Sequence, residues 1–116
     1  MNGLCHLEIP SRDFEKAEKF YAGVFGWKIE IMPEMDYALF TPPDGPGGGF
    51  SKEAKISPEP GHFFYIEVEN IEETLKKVET YGGRTKTGKT MISQDFGYSA
   101  VFIDPEGNPI GLWSKK

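Results

Sequence analysis

The sequence predicts an α+β domain in which a strand–helix–three-strand unit occurs twice, the copies sharing one curved sheet with both helices outside it. Three observations carry this. Two amphipathic helical stretches lie well apart, each ending at glycine. Short apolar stretches separated by Gly and Pro follow each helix. Matching residues recur at a near-constant offset: Ile9 and Ile66, Phe14 and Ile71, and Tyr21 and Val78 are each 57 residues apart. Ala38–Gly45 likewise matches Ala100–Gly107 at an offset of 62. A long period of this kind is one supersecondary unit duplicated. A single unit buries its helix and sheet faces poorly, and two together do better.

In chain order, residues 3–9 form the first expected strand, ended by Pro10. Residues 13–25 form a helix with Phe14, Ala17, Phe20, Tyr21, Val24 and Phe25 on its apolar side. Asp13 or Ser11 suits its N-cap, and Gly23 and Gly26 stand where it should stop. Strands are expected over Trp27–Ile31, Tyr37–Thr41 and Gly48–Phe50, with turn residues Pro42–Gly45 before the last. Residues 51–61 are polar, contain two prolines, and read as a connector. The second unit begins with a strand over His62–Val68. A helix over 70–81 follows, with Asn70 and Glu73 making a capping-box-like start and Gly82-Gly83 a stop. Strands over Arg84–Thr87, Ser99–Ile103 and Pro109–Trp113 complete it, with the turn Pro105–Asn108 before the last. The two modules are thus 1–51 and 60–116 of one domain.

Composition narrows the function classes. The 116 residues carry 13 Lys+Arg against 18 Asp+Glu, a net charge of −5. That sign, with no basic cluster, disfavours nucleic acid and anionic membrane surfaces. One cysteine rules out a disulfide framework and suggests a reducing compartment. The first ten residues lack the basic-then-apolar pattern of a signal peptide, and no apolar run is long enough to span a bilayer. A cytoplasmic protein is expected.

His6-Leu7-Glu8-Ile9 running into Asp13, Phe20-Tyr21 and Phe25-Gly26-Trp27 resembles the vicinal oxygen chelate superfamily. Its members include glyoxalase I, bleomycin-resistance proteins and extradiol dioxygenases. Asp104-Pro105-Glu106-Gly107-Asn108 followed by Gly111-Leu112 extends the resemblance over nearly the whole chain. It implies two βαβββ modules paired into a cup, within one chain or across a homodimer. A homodimer is the form expected here, since many small members form one. In metal-dependent members each module gives one ligand from its first strand and one from its last. The corresponding positions here are His6, Phe63, Gly49 and Gly111, of which only His6 can bind a metal. His62 is one residue off, and strand alternation turns it to the other face. No metal and no other cofactor is therefore expected.

Alternation along the strands gives the cup lining. Leu7 and Ile9, and Phe64, Ile66 and Val68, belong under the helices. His6, Glu8, Phe63, Tyr65 and Glu67 then face the concave side, joined by Gly111 and Trp113 from the last strand. Aromatic walls with a few convergent polar groups suit a small-molecule ligand. His6 with Glu8 forms a base and its orienting partner, and Tyr65 a hydroxyl donor, should the site be catalytic. The expected function is glyoxalase/bleomycin-resistance-like binding of a small organic molecule. The alternative is a metal-dependent lyase or dioxygenase of the same superfamily.

Two other features carry less. Gly83–Thr90 fits the phosphate-loop pattern, but a helix precedes it and no helical stripe follows, so no nucleotide site is expected. Cys5 adjoins His6 on the opposite face and is expected to be a small buried residue. Gly47-Gly48-Gly49 reads as a close backbone approach or a bulge at a seam.

Overall fold

A computed structural model describes residues 1–116. Its first half contains β1 (Leu7–Pro10), α1 (Phe14–Phe25), β2 (Lys28–Met32), a single 3-10 turn (Pro33–Met35), β3 (Tyr37–Thr41) and β4 (Gly48–Ser51). The second half contains β5 (Tyr65–Glu67), α2 (Ile71–Thr80), β6 (Arg84–Ser93), β7 (Gly97–Ile103) and β8 (Pro109–Ser114). Each half makes its own four-stranded sheet, in the orders β1-β4-β3-β2 and β5-β8-β7-β6. In both, the first strand runs parallel to the last and the other pairings are antiparallel. The duplication expected from the sequence is therefore a duplication of topology. The two sheets do not close on one another.

The helix ends follow the capping residues. Asp13 accepts from the Lys16 N–H and Asn70 from the Glu73 N–H, so each satisfies an otherwise unpaired amide in the first turn. Gly26 ends α1 in the left-handed conformation, at φ 71°. Several strand limits differ from expectation. β1 starts at Leu7 rather than residue 3, because residues 1–6 are exposed and have no ladder partner. β5 is confined to Tyr65–Glu67, flanked by single backbone bonds at Phe64 and Val68. β6 runs on to Ser93, because bulges let it keep pairing with β7 through the segment that carries the phosphate-loop pattern.

One core joins the halves. Ile9, Phe14, Phe20, Tyr21, Phe40 and Phe50 of the first half belong to the same buried cluster as Ile71, Val78, Phe102 and Leu112 of the second. Helix α1 serves both sheets. Its Tyr21 ring stacks on Trp27 at 4.9 Å, and Trp27 in turn stacks on Phe40 at 4.8 Å. Its Phe20 ring meets Phe102 of β7 at 5.7 Å. The Leu7–Ile9 and Phe64–Ile66–Val68 faces pack onto this core, as alternation predicts.

A polar clasp reinforces the junction. The turn between β7 and β8 places the Glu106 carboxylate against the start of α1, where it accepts from Ser11 Oγ (2.6 Å), Arg12 N (2.6 Å) and Asp13 N (3.3 Å). Negative charge at a helix N-terminus is favourable, and here it comes from the other module. Behind it, buried Asp104 accepts from Tyr21 Oη, Asn108 N and Nδ2, and Glu106 N. Asn108 Nδ2 also donates to the Pro10 carbonyl (2.7 Å).

Candidate functional site

The open face of the first sheet is built in rows. Glu8, Gly49, Leu39 and Glu30 stand side by side across β1, β4, β3 and β2. Gly49 lacks a side chain, and the ring of Tyr37 from β3 lies over it; a Cβ there would overlap the ring. Crossing this gap brings the Tyr37 hydroxyl to β1. It donates to Glu8 Oε2 at 2.8 Å and meets His6 Nε2 at 2.8 Å. The Tyr37 and His6 rings lie nearly parallel, at 14°. Partial burial, the hydrogen bond to Glu8 and the Glu8 charge together push the Tyr37 hydroxyl up to about 12. Tyr37 therefore stays a neutral phenol at physiological pH.

His6 and Glu8 face a cleft of about 360 Å³ that lies beside β1, between it and the segment leading into β5. His62, Phe63, Lys55 and Asn108 also line it. Leu7 and Phe64 give it apolar wall. A second hollow, of about 450 Å³, lies over Lys28, Ile29, Glu30, Leu39 and Thr41. It carries no hydrogen-bonded polar array, so the cleft beside β1 is the better candidate.

The structure brings three of the expected site residues, His6, Glu8 and Phe63, to this cleft. Tyr65, Glu67, Gly111 and Trp113 sit together on the open face of the second sheet, as the pairs Tyr65–Gly111 and Glu67–Trp113. The Tyr65 ring covers Gly111, much as Tyr37 covers Gly49. Trp113 Nε1 donates to the Phe96 carbonyl. Tyr65 meets the edge of Phe63 at 5.3 Å, and its exposed hydroxyl makes no hydrogen bond within the chain. The hydroxyl next to His6 and Glu8 is that of Tyr37, expected from the sequence only as the first residue of a strand. His62 precedes β5, so alternation does not turn it away, and it lines the cleft with His6.

Cys5 is exposed rather than buried, because it lies before β1 in an unpaired stretch. The glycine run is a close backbone approach: a Cβ on Gly48 would strike the Leu7 carbonyl oxygen of the adjoining strand.

A family model described as the Glyoxalase/Bleomycin resistance protein/Dioxygenase superfamily matches residues 3–112. The chain belongs to this superfamily. Among similar members, a glyoxylase-like domain-containing protein of Didymella fabae is 31% identical over 109 residues, covering 88% of this chain and 85% of that one. CFP32 of Mycobacterium bovis is 27% identical over 123 residues; the match covers 92% of this chain and 43% of CFP32. In fold, the chain is similar to the fosfomycin resistance protein FosX of Listeria monocytogenes, with a TM-score of 0.79 at 15% identity, over 100% of this chain and 95% of that one. No helix is long and apolar enough to cross a membrane.

Superfamily members of the metal-dependent kind would need donors from both modules. Here the last-strand positions are Gly49 and Gly111, and each is covered by a tyrosine ring. Phe63 has no donor atom, which leaves His6 as the single side-chain donor among the four positions. No three His, Cys, Asp or Glu side chains come together in a group that could hold a metal ion. The residues present do not fit the superfamily's metal.

Proposed function

We propose that this protein binds a small organic molecule in the cleft beside β1 without a metal, in the manner of the superfamily's binding proteins rather than its metal-dependent lyases or dioxygenases. The observation that supports this best is the pairing of two glycines with two tyrosine rings, Gly49 under Tyr37 and Gly111 under Tyr65. Where a carboxylate would reach for a metal, the first sheet instead carries a phenol tied to His6 and Glu8. The apolar wall around Phe63 takes the body of a ligand, and the His6–Tyr37–Glu8 array takes its polar end.

The protein works as a cytoplasmic homodimer. Tyr65, Met91, Ile92 and Phe96 leave large apolar surface exposed on the second half, which a second copy would cover.

Metal analysis of the purified protein, with thermal shifts under Ni²⁺, Zn²⁺ and Fe²⁺, tests the metal-free reading. Substoichiometric metal and unchanged melting are expected. Stoichiometric metal that is lost in His6→Ala would overturn the reading in favour of a metal-dependent enzyme. Light scattering checks the dimer, and a monomer at micromolar concentration would refute that part.

A further inference from the structure

The hydrogen bonds around Tyr37 fix more than the position of its ring. A phenol has one proton, and a carboxylate can only accept. Tyr37 gives its proton to Glu8 Oε2 at 2.8 Å, so its oxygen is an acceptor toward every other neighbour. The neighbour at 2.8 Å is His6 Nε2. That contact is a hydrogen bond only when the imidazole proton sits on Nε2. In the neutral ring Nδ1 then holds a bare lone pair, and no other group of the chain bonds to the His6 ring.

We infer that His6 is held as the Nε2–H tautomer and offers Nδ1 to the cleft as an acceptor, so that the ligand is a small, largely apolar molecule bearing a hydroxyl donor, of which a phenol is the simplest form. The inference rests on the cleft being the ligand site. A donor hydroxyl meets a lone pair that nothing in the chain occupies, while the ring or alkyl body meets Phe63, Phe64 and Leu7. Glu8 and Tyr37 act on the ligand through His6: the carboxylate orders the phenol, and the phenol orders the imidazole. They are positioning residues. The reverse proton order, with Tyr37 donating to His6, would require the proton to reside on Glu8.

Two measurements on the intact protein test this. Nitrogen-15 correlation spectra of the imidazoles report the tautomer directly, and with only two histidines a His62→Gln variant assigns them. The expected spectrum shows a protonated Nε2 and a pyridine-like Nδ1 for His6, and loss of that preference in Tyr37→Phe. Binding of 4-methylphenol is then compared with that of 4-methylanisole, which has nearly the same shape but no hydroxyl proton, at about pH 8, below the ordinary phenol range near 10 and above the ordinary imidazole range near 6.5. One hydrogen bond should favour the phenol by about tenfold, and His6→Phe should abolish the difference. A protonated Nδ1 in the free protein overturns the inference while leaving the cleft as a binding site if both probes bind. Equal affinities for the two probes overturn the ligand class. Failure of both probes to perturb Phe63 or His6 overturns the cleft itself.

Discussion

Two neighbouring glycines on β4 do different work. Gly48 faces the core side and touches backbone: an added Cβ meets the Leu7 carbonyl oxygen, which belongs to the β1–β4 ladder and cannot move alone. Gly49 faces the open side, and the nearest atoms to its added Cβ are those of the Tyr37 ring, which can swing away. Gly48→Ala should therefore cost about 3 kcal/mol in urea unfolding, as an overpacked site does. Gly49→Ala should cost about 1 kcal/mol or less. Gly49→Ala should, however, detach Tyr37 from His6 and Glu8. An ultraviolet titration of that variant should show the Tyr37 hydroxyl fall from about 12 back toward the ordinary value of 10.0. An unchanged titration would mean that the ring does not depend on the glycine. The same comparison explains what could be read from the sequence. His6 and Glu8 follow from alternation along one strand. Tyr37 does not, because its partners are 31 and 29 residues away, on β1 and just before it, and β3 makes no ladder with β1. The only hint is the absent side chain at Gly49, and a glycine does not announce which ring will cross it.

At the level of elements, α1 has two N-terminal devices. Asp13 is the local cap, readable in sequence because the bonded amide lies three residues on. Glu106 is the remote one, more than 90 residues away, and its role depends on how the modules meet. Removing Asp13 should cost about 1 kcal/mol. Glu106→Ala strips a charged acceptor from two amides and from the buried Ser11 hydroxyl, and should cost about 2–3 kcal/mol. Denaturant titration of the two variants ranks them. A smaller loss for Glu106→Ala than for Asp13→Ala would show that the clasp contributes little to joining the halves. The short β5 follows from the same kind of non-local control: periodicity extends the strand to His62, yet β8 supplies ladder partners only for Tyr65–Glu67.

For the molecule as a whole, two tyrosines link stability to alkaline pH. Tyr21 is raised well above its ordinary value, first by burial and then by the Asp104 charge and hydrogen bond. Tyr37 is raised to about 12 by partial burial and by Glu8. In the unfolded chain both lose their protons near 10, while the fold still holds them. Their contribution is complete below pH 10 and is lost as pH rises, for Tyr37 between about 10 and 12. Wild-type stability measured by denaturant should decline across this window, and Tyr37→Phe should decline less steeply. Parallel curves would remove Tyr37 from the linkage. The duplicated topology, the helix caps and the strand faces were all readable from periodicity and offsets, because they are set locally. The shared use of α1 by both sheets was not, since it arises from where one module rests on the other.

The pairing of the first strand of each module with its last has a consequence for how the chain is made. During synthesis β1 must wait for residues 48–51 before it finds a ladder, and β5 must wait for β8. Helix α1 waits longer still, since its Glu106 cap and its Phe102 neighbour belong to the final part of the fold. The nascent first module thus leaves the ribosome with the Arg12 and Asp13 amides unpaired and an aromatic surface uncovered, and both are closed only when β7 and β8 arrive.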